Sequence, residues 1–247
     1  MRIDVRLGEA SVVLADVADR VVVVIDVLRA ATTAAIAIGN GARMLIPFES
    51  VDEAAQRGKT MDQDSIRLGG ERRMVRIPGF DFGNSPLEYT RALVLGRTII
   101  FTTSNGTSAL LATHGASLCL FAAFVNAQAT VDTLCAAAGG TENITMICAG
   151  TDRHVALEDV VCAGRLVRGV LAAFPDATLG DGARIATMIE QPYQIDLARL
   201  PHDATHARAL TAAGFSDDVA CCFQVDVVPL AIRFHDRQLQ AFSHTSR

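Results

Sequence analysis

Two short strings in this chain have residue types and spacing suited to binding an anion. In the first, the apolar run Val21-Val22-Val23-Val24-Ile25 ends at Asp26, and Arg29 follows three residues later with a guanidinium fork that fits an oxyanion. A carboxylate at the end of a central strand stands where open α/β sheets take their ligands. Taken alone, Asp26 reads equally well as the cap of the next helix, with Arg29 its ion partner. The second string is Thr102-Thr103-Ser104-Asn105-Gly106-Thr107, small hydroxyls, an amide and a glycine between a strand and a helix. Backbone N–H groups at such a turn can cradle a phosphate. In isolation an ordinary Asn-Gly turn explains it better, because the lysine of a nucleotide-binding loop is missing.

Other candidates supply oxygen ligands. Gly69-Gly70-Glu71-Arg72 and Gly79-Phe80-Asp81-Phe82-Gly83-Asn84-Ser85 place two carboxylates, an arginine and an amide close together. Such hard oxygens suit Mg²⁺, which commonly sits between one or two protein carboxylates and a substrate phosphate. Glu158-Asp159 opens a helix, where capping accounts for at least one of the pair and leaves the other as a ligand or base. Asp217-Asp218 and Asp226 read as caps or solvated surface. The six histidines show no spacing that pairs a nucleophile with a base.

These residues need a scaffold, and the alternation of elements supplies it. Val21–Ile25 is β-branched and apolar on both faces, as in a strand covered on both sides. Further strands are expected at 44–46, 98–102, 118–122 and 143–148, with helices at 30–38, 51–57, 126–138 and 157–171. This alternation predicts a three-layer α/β/α domain with a mostly parallel or mixed sheet. Residues 68–88, with several glycines and two prolines, read as a long surface loop forming a lid or wall, and Ser85-Pro86-Leu87-Glu88 as a capping box that opens a helix. The last third reads as helical up to Gly214, followed by one or two strands within 223–232. The 247 residues are treated as a single domain, with a subdivision near 140 unmarked by any linker.

Composition narrows the class of function. A net charge of -5 with dispersed arginines offers no footprint for nucleic acid. The longest apolar runs are broken long before the roughly 18 residues of a membrane span, and the alternating start lacks an export signal, so a cytoplasmic address is expected. Six scattered cysteines without a CxxC pair read as free buried thiols, and a homodimer is one of the assemblies left open.

Val23-Val24-Ile25-Asp26-Val27-Leu28-Arg29-Ala30, Gly69-Gly70-Glu71-Arg72, the Gly79 to Pro86 string, Thr102 to Thr107, and Cys148-Ala149-Gly150 with Leu157-Glu158-Asp159 are, in this order, similar to motifs of the 2-phosphosulfolactate phosphatase family. The resemblance runs from about Ile3 to Pro229. It implies a three-layer α/β fold and Mg²⁺-dependent hydrolysis of 2-phospho-3-sulfolactate, a phosphorylated, sulfonated acid, to 3-sulfolactate and phosphate, a step of coenzyme M biosynthesis in archaea. On this reading Asp26, Arg29, Glu71 and Asn105 are catalytic. Mg²⁺ sits near Asp26 with Glu71, Asp81 or Glu158, while Arg29, Arg72, Asn84, Ser85, Thr103, Asn105, Gly106 and Thr107 meet the substrate. Residues 151–156 and Ala207 depart from the pattern and bear on substrate identity. Two alternatives remain: a haloacid-dehalogenase-type phosphatase, weakened by Leu28 where a second aspartate is usual, and a non-catalytic protein that binds a phosphorylated acid.

Overall fold

The computed structural model describes residues 1–8, 12–103, 106–139 and 142–242. In chain order the elements are β1 (Arg2–Arg6), β2 (Val21–Ile25), α1 (Ala30–Gly39), β3 (Met44–Pro47), α2 (Val51–Lys59), β4 (Ile66–Arg72), β5 (Val75–Arg76), α3 (Arg91–Val94) and β6 (Thr98–Thr102). Then come α4 (Gly106–Leu111), β7 (Leu118–Ala122), α5 (Ala127–Ala138), β8 (Ile144–Cys148), α6 (Leu157–Ala173), β9 (Thr178–Leu179) and α7 (Asp181–Ile195). The chain closes with α8 (Leu200–Asp203), α9 (Thr205–Ala212), α10 (Ser216–Cys222), β10 (Ile232–His235) and β11 (Gln238–Ala241).

One mixed sheet carries all the strands, in the order β5-β4-β6-β3-β11-β10-β7-β2-β8-β1-β9. It consists of two parallel blocks. In one, β4, β6 and β3 pair in parallel; in the other, β7, β2, β8, β1 and β9 do so. The antiparallel hairpin β10–β11 stitches the blocks together, pairing with β7 on one side and with β3 at Leu239↔Leu45 on the other. Every residue of β2, β6, β7 and β8 is buried, so helices cover both faces of the sheet and the α/β reading stands. Because β8 lies between β1 and β2, residues on either side of 140 share this sheet.

Three local expectations are corrected. Residues 68–88 are not one surface loop. Ile66–Arg72 is a strand parallel to β6 that turns back through β5, and Phe80 and Phe82 are buried. Gly69 and Gly70, which suggested a loop, instead permit close packing. A Cβ on Gly70 would lie 2.1 Å from the Thr102 carbonyl oxygen, so only glycine lets β4 approach the end of β6 there. The capping box is absent as well: Ser85 precedes and Glu88 ends a single 3-10 turn, Ser85 donates to Asp218, and Glu88 accepts from the Gly83 N–H. Finally, the closing strands begin at Ile232. Residues 226 and 228 hydrogen-bond instead to the Phe124 and Val125 carbonyls, outside the sheet.

Candidate active site

The turns after β2, β6 and β8, the end of β4 and helix α9 enclose a cleft of about 210 Å³. Its lining includes Asp26, Arg29, Glu71, Asn84, Thr103, Thr151, Asp152 and His206, so both parallel blocks contribute.

Asp26 directly follows the buried strand β2 and is itself 4% exposed. Its Oδ1 accepts the Ala30 N–H at 3.0 Å, so it does cap α1, as one sequence reading held. The capping bond does not use Oδ2. A Cβ on Gly106 would lie only 2.5 Å from that atom, so the first turn of α4 can abut the carboxylate only because residue 106 is glycine. Burial pushes the Asp26 pKa from 3.8 up to about 7; the Ala30 N–H and His206 pull it down, while Glu158 and Glu71 add to the rise.

Glu158 and Asp159 are adjacent at the start of α6, but among the described residues neither makes the helix-capping bond expected of one of them. Asp159 accepts the N–H groups of Val27 at 2.8 Å and Gly150 at 3.0 Å, tying together the turns after β2 and β8. Burial drives its pKa well above the ordinary carboxylate range, the charges of Asp26 and Glu158 add to this, and the two amide donors oppose it. Glu158 is 1% exposed; its Oε1 lies 3.5 Å from His206 Nδ1, and its Oε2 has no hydrogen-bond donor among the described residues. A buried carboxylate oxygen without a donor is costly unless a ligand or ion meets it. His206, on α9, also shares a 2.8 Å hydrogen bond with Thr151 Oγ1.

Arg29 is buried and fixed. Its Nη1 lies 2.5 Å from Asp218 Oδ2, its guanidinium sits 4.4 Å from the Phe215 ring centroid, and the other Asp218 oxygen accepts from Ser85 Oγ at 2.6 Å. Asp218 lies on α10, 189 residues from Arg29 along the chain. Glu71 accepts the Met74 N–H at 2.9 Å, which braces the β4–β5 hairpin.

Of the residues proposed from sequence, Asp26, Arg29, Glu71, Asn84 and Thr103 line this cleft, Gly106 abuts it, and Glu158 reaches it through His206. The structure does not bring Asp81 there: its exposed carboxylate accepts the Leu68 N–H at 2.8 Å. Arg72 turns away to Thr102 Oγ1 and the Glu49 carbonyl, and with Thr103 and Thr107 lines a separate depression of about 270 Å³. Ser85 lies in a groove beside the cleft. Asn105 lies outside the described residues. His206 was missed from sequence, with only the departure at its neighbour Ala207 as a hint, and Asp218, read there as a cap or solvated surface, is instead buried against Arg29. Among the described residues no three His, Cys, Asp or Glu side chains form a ready-made metal cage.

A mixed α/β sheet whose strand-end turns converge on buried carboxylates, a clamped arginine and a histidine defines an α/β protein with a polar cleft at its strand ends. Comparison with known proteins sharpens this. Residues 9–237 match the family described as 2-phosphosulpholactate phosphatase. The chain is 38% identical over 224 residues to a protein of Symbiobacterium thermophilum, covering 91% of this chain and 95% of that one. It is 34% identical over 233 residues to one of Clostridium botulinum strain Alaska E43, covering 93% and 96%. Both relatives bear the name "Probable 2-phosphosulfolactate phosphatase". The chain belongs to the 2-phosphosulfolactate phosphatase family.

Proposed function

We propose that this protein hydrolyses 2-phospho-3-sulfolactate to 3-sulfolactate and phosphate, with Mg²⁺ held at the acidic floor of the cleft. Family membership supports the reaction. One observation carries the metal: Asp26 and Glu158 are buried together, a Glu158 oxygen has no donor among the described residues, and Arg29 is already neutralised by Asp218. The charges of these acids oppose a phosphate ester, and among the described residues the cleft sets only Arg73 against them as a guanidinium outside any ion pair. The donor set fits a hard divalent cation: Asp26 and Glu158 would be its oxygen ligands, Glu71 would reach it through water, and the remaining positions would be left to water and substrate, which is the habit of Mg²⁺. Bound there, it would neutralise phosphoryl oxygens as a Lewis acid.

The chain's own residues account for the rest. Arg29 is held rigid by Asp218 and Phe215, and so offers its fork to the phosphoryl oxygens with little reorganisation as charge develops on them. Hydrolysis adds water at phosphorus, breaks the bond to the ester oxygen and returns one proton to the departing alkoxide. His206, anchored through Nδ1, is the cleft residue placed to manage that proton at Nε2. Gly106 leaves the Asp26 carboxylate free of side-chain crowding. The work is that of a small-molecule enzyme of the cytoplasm; six free cysteines and a charge of -5 support that setting, and among the described residues no helix is long and apolar enough to cross a membrane.

The test is phosphate release in Mg²⁺ across a panel of phosphorylated 2-hydroxy acids with and without a sulfonate. The sulfonated ester should be turned over with the highest kcat/KM. Stoichiometric binding with no release from any member would favour the non-catalytic binding protein.

A further inference from the structure

A second groove of about 350 Å³ adjoins the cleft and shares Arg29, Arg73, Met74 and Asn84 with it. Its character differs. Where the cleft is floored by carboxylates, the groove is walled by Arg73 and Arg76 from the β4–β5 hairpin, facing Phe215 and Ala213. Among the described residues neither Arg73 nor Arg76 is in an ion pair, and their one side-chain hydrogen bond is a 3.3 Å contact from Arg76 to the Asp81 carbonyl. The third arginine, Arg29, has its charge matched by Asp218. One carboxylate, Glu88, also lines the groove, with its Oε2 engaged by the Gly83 N–H. Two guanidiniums against one carboxylate leave the groove net positive.

The hairpin fixes the groove relative to the cleft. Arg73 and Met74 turn the chain with φ of 53° and 68°, and the Met74 N–H is bonded to the Glu71 carboxylate, so the arm bearing the arginines is anchored to a cleft residue. Asn84 lies buried at the junction, and its Oδ1 has no donor among the described residues. A ligand occupying both spaces therefore needs a phosphoryl group at one end, beside Arg29 and the acids, and a second anionic group at the other.

We infer that this groove is the sulfonate subsite, with Arg73 and Arg76 as the residues that select a sulfonated substrate. The inference rests on the phosphatase reading and extends it. A sulfonate remains ionised across the physiological range and presents three acceptor oxygens, which suits two guanidinium forks better than a single ammonium. An ester with a methyl group in place of the sulfomethyl arm would leave the groove's charge unanswered.

The experiment compares kcat/KM for 2-phospho-3-sulfolactate and 2-phospholactate in the wild type and in the Arg73→Ala/Arg76→Ala double variant. Both side chains are exposed, so the variant should fold, and circular dichroism checks this. The preference for the sulfonated ester should fall by about ten- to a hundred-fold, the range expected for losing charged hydrogen bonds. Arg76→Lys alone should lower it by less. An unchanged preference, with both substrates slowed alike, overturns the subsite. If the wild type hydrolyses neither ester, the phosphatase reading fails, and calorimetric binding of 3-sulfolactate against lactate still reads the groove. Sulfolactate binding that weakens in the double variant supports the subsite, and equal affinity for both proteins rejects it.

Discussion

Replacing Asp26 with Asn separates the two roles that this residue combines. Asparagine keeps an acceptor for the Ala30 N–H but has no charge, so the cap survives while the acidic function is lost. The structure sets the size of the effect on stability. Burial and the nearby charges of Glu158 and Glu71 lift the Asp26 pKa from 3.8 to about 7, against the opposing pull of the Ala30 N–H and His206. A raised acid pKa means that the folded state holds this proton more tightly than the unfolded chain does. Its contribution to stability is therefore fully present below pH 4 and is lost as pH rises towards and through 7. A shift of about three units at about 1.4 kcal/mol each makes that loss on the order of 4 kcal/mol.

In chelator at pH 8, Asp26→Asn should thus melt higher than wild type, by roughly 10 °C for a chain of this size, and the gap should close below pH 5. Circular-dichroism melts of both proteins from pH 4 to 8 provide the assay, alongside phosphate release with Mg²⁺, which should fall by several orders of magnitude in the variant. A melting difference that does not vary with pH would refute the reasoning about burial. A folded Asp26→Asn protein working at the parental rate would return Asp26 to capping alone.

Asp218→Ala should leave the buried Arg29 charge unpaired, destabilise the fold by about 3–5 kcal/mol in denaturant titrations, and lower kcat/KM; preserved stability would show that Arg29 has another anchor. Gly106→Ala puts a methyl against Asp26 Oδ2, so phosphate release should drop at least ten-fold while the far-ultraviolet spectrum stays wild type, and full activity would mean that the first turn of α4 gives way. Asp81→Asn should leave the Mg²⁺ concentration for half-maximal phosphate release unchanged, because that carboxylate serves the Leu68 N–H outside the cleft; a marked rise would make Asp81 a ligand after all.

What sequence could reveal here follows from the range of the interactions. The strands β2, β6, β7 and β8 were legible because burial on both faces forces continuous apolar runs, and Asp26 stood out as the first charge after one of them. Glu71, Arg29 and Glu158 could be nominated on chemistry alone. The β4–β5 hairpin was hidden by glycines that usually mark loops but here admit close neighbours, as Gly70 does for Thr102. Asp218 and His206 could not be found from spacing, since their partners Arg29, Thr151 and Glu158 are 189, 55 and 48 residues away and only the fold unites them. Arg72 misled for a related reason: alternation along β4 sends it to the opposite side from Glu71, towards Thr102 and Glu49.

On the proposed mechanism, the buried acids of the cleft hold the Mg²⁺ that phosphate release requires. Titrating Mg²⁺ into chelator-treated wild type and Glu158→Gln, with release from 2-phospho-3-sulfolactate followed at fixed pH, tests it most directly. The account predicts no release from wild type before the metal is added, saturable recovery afterwards, and a curve for Glu158→Gln shifted at least ten-fold towards higher Mg²⁺. Full turnover by metal-free wild type, or superimposable curves for the two proteins, would contradict it.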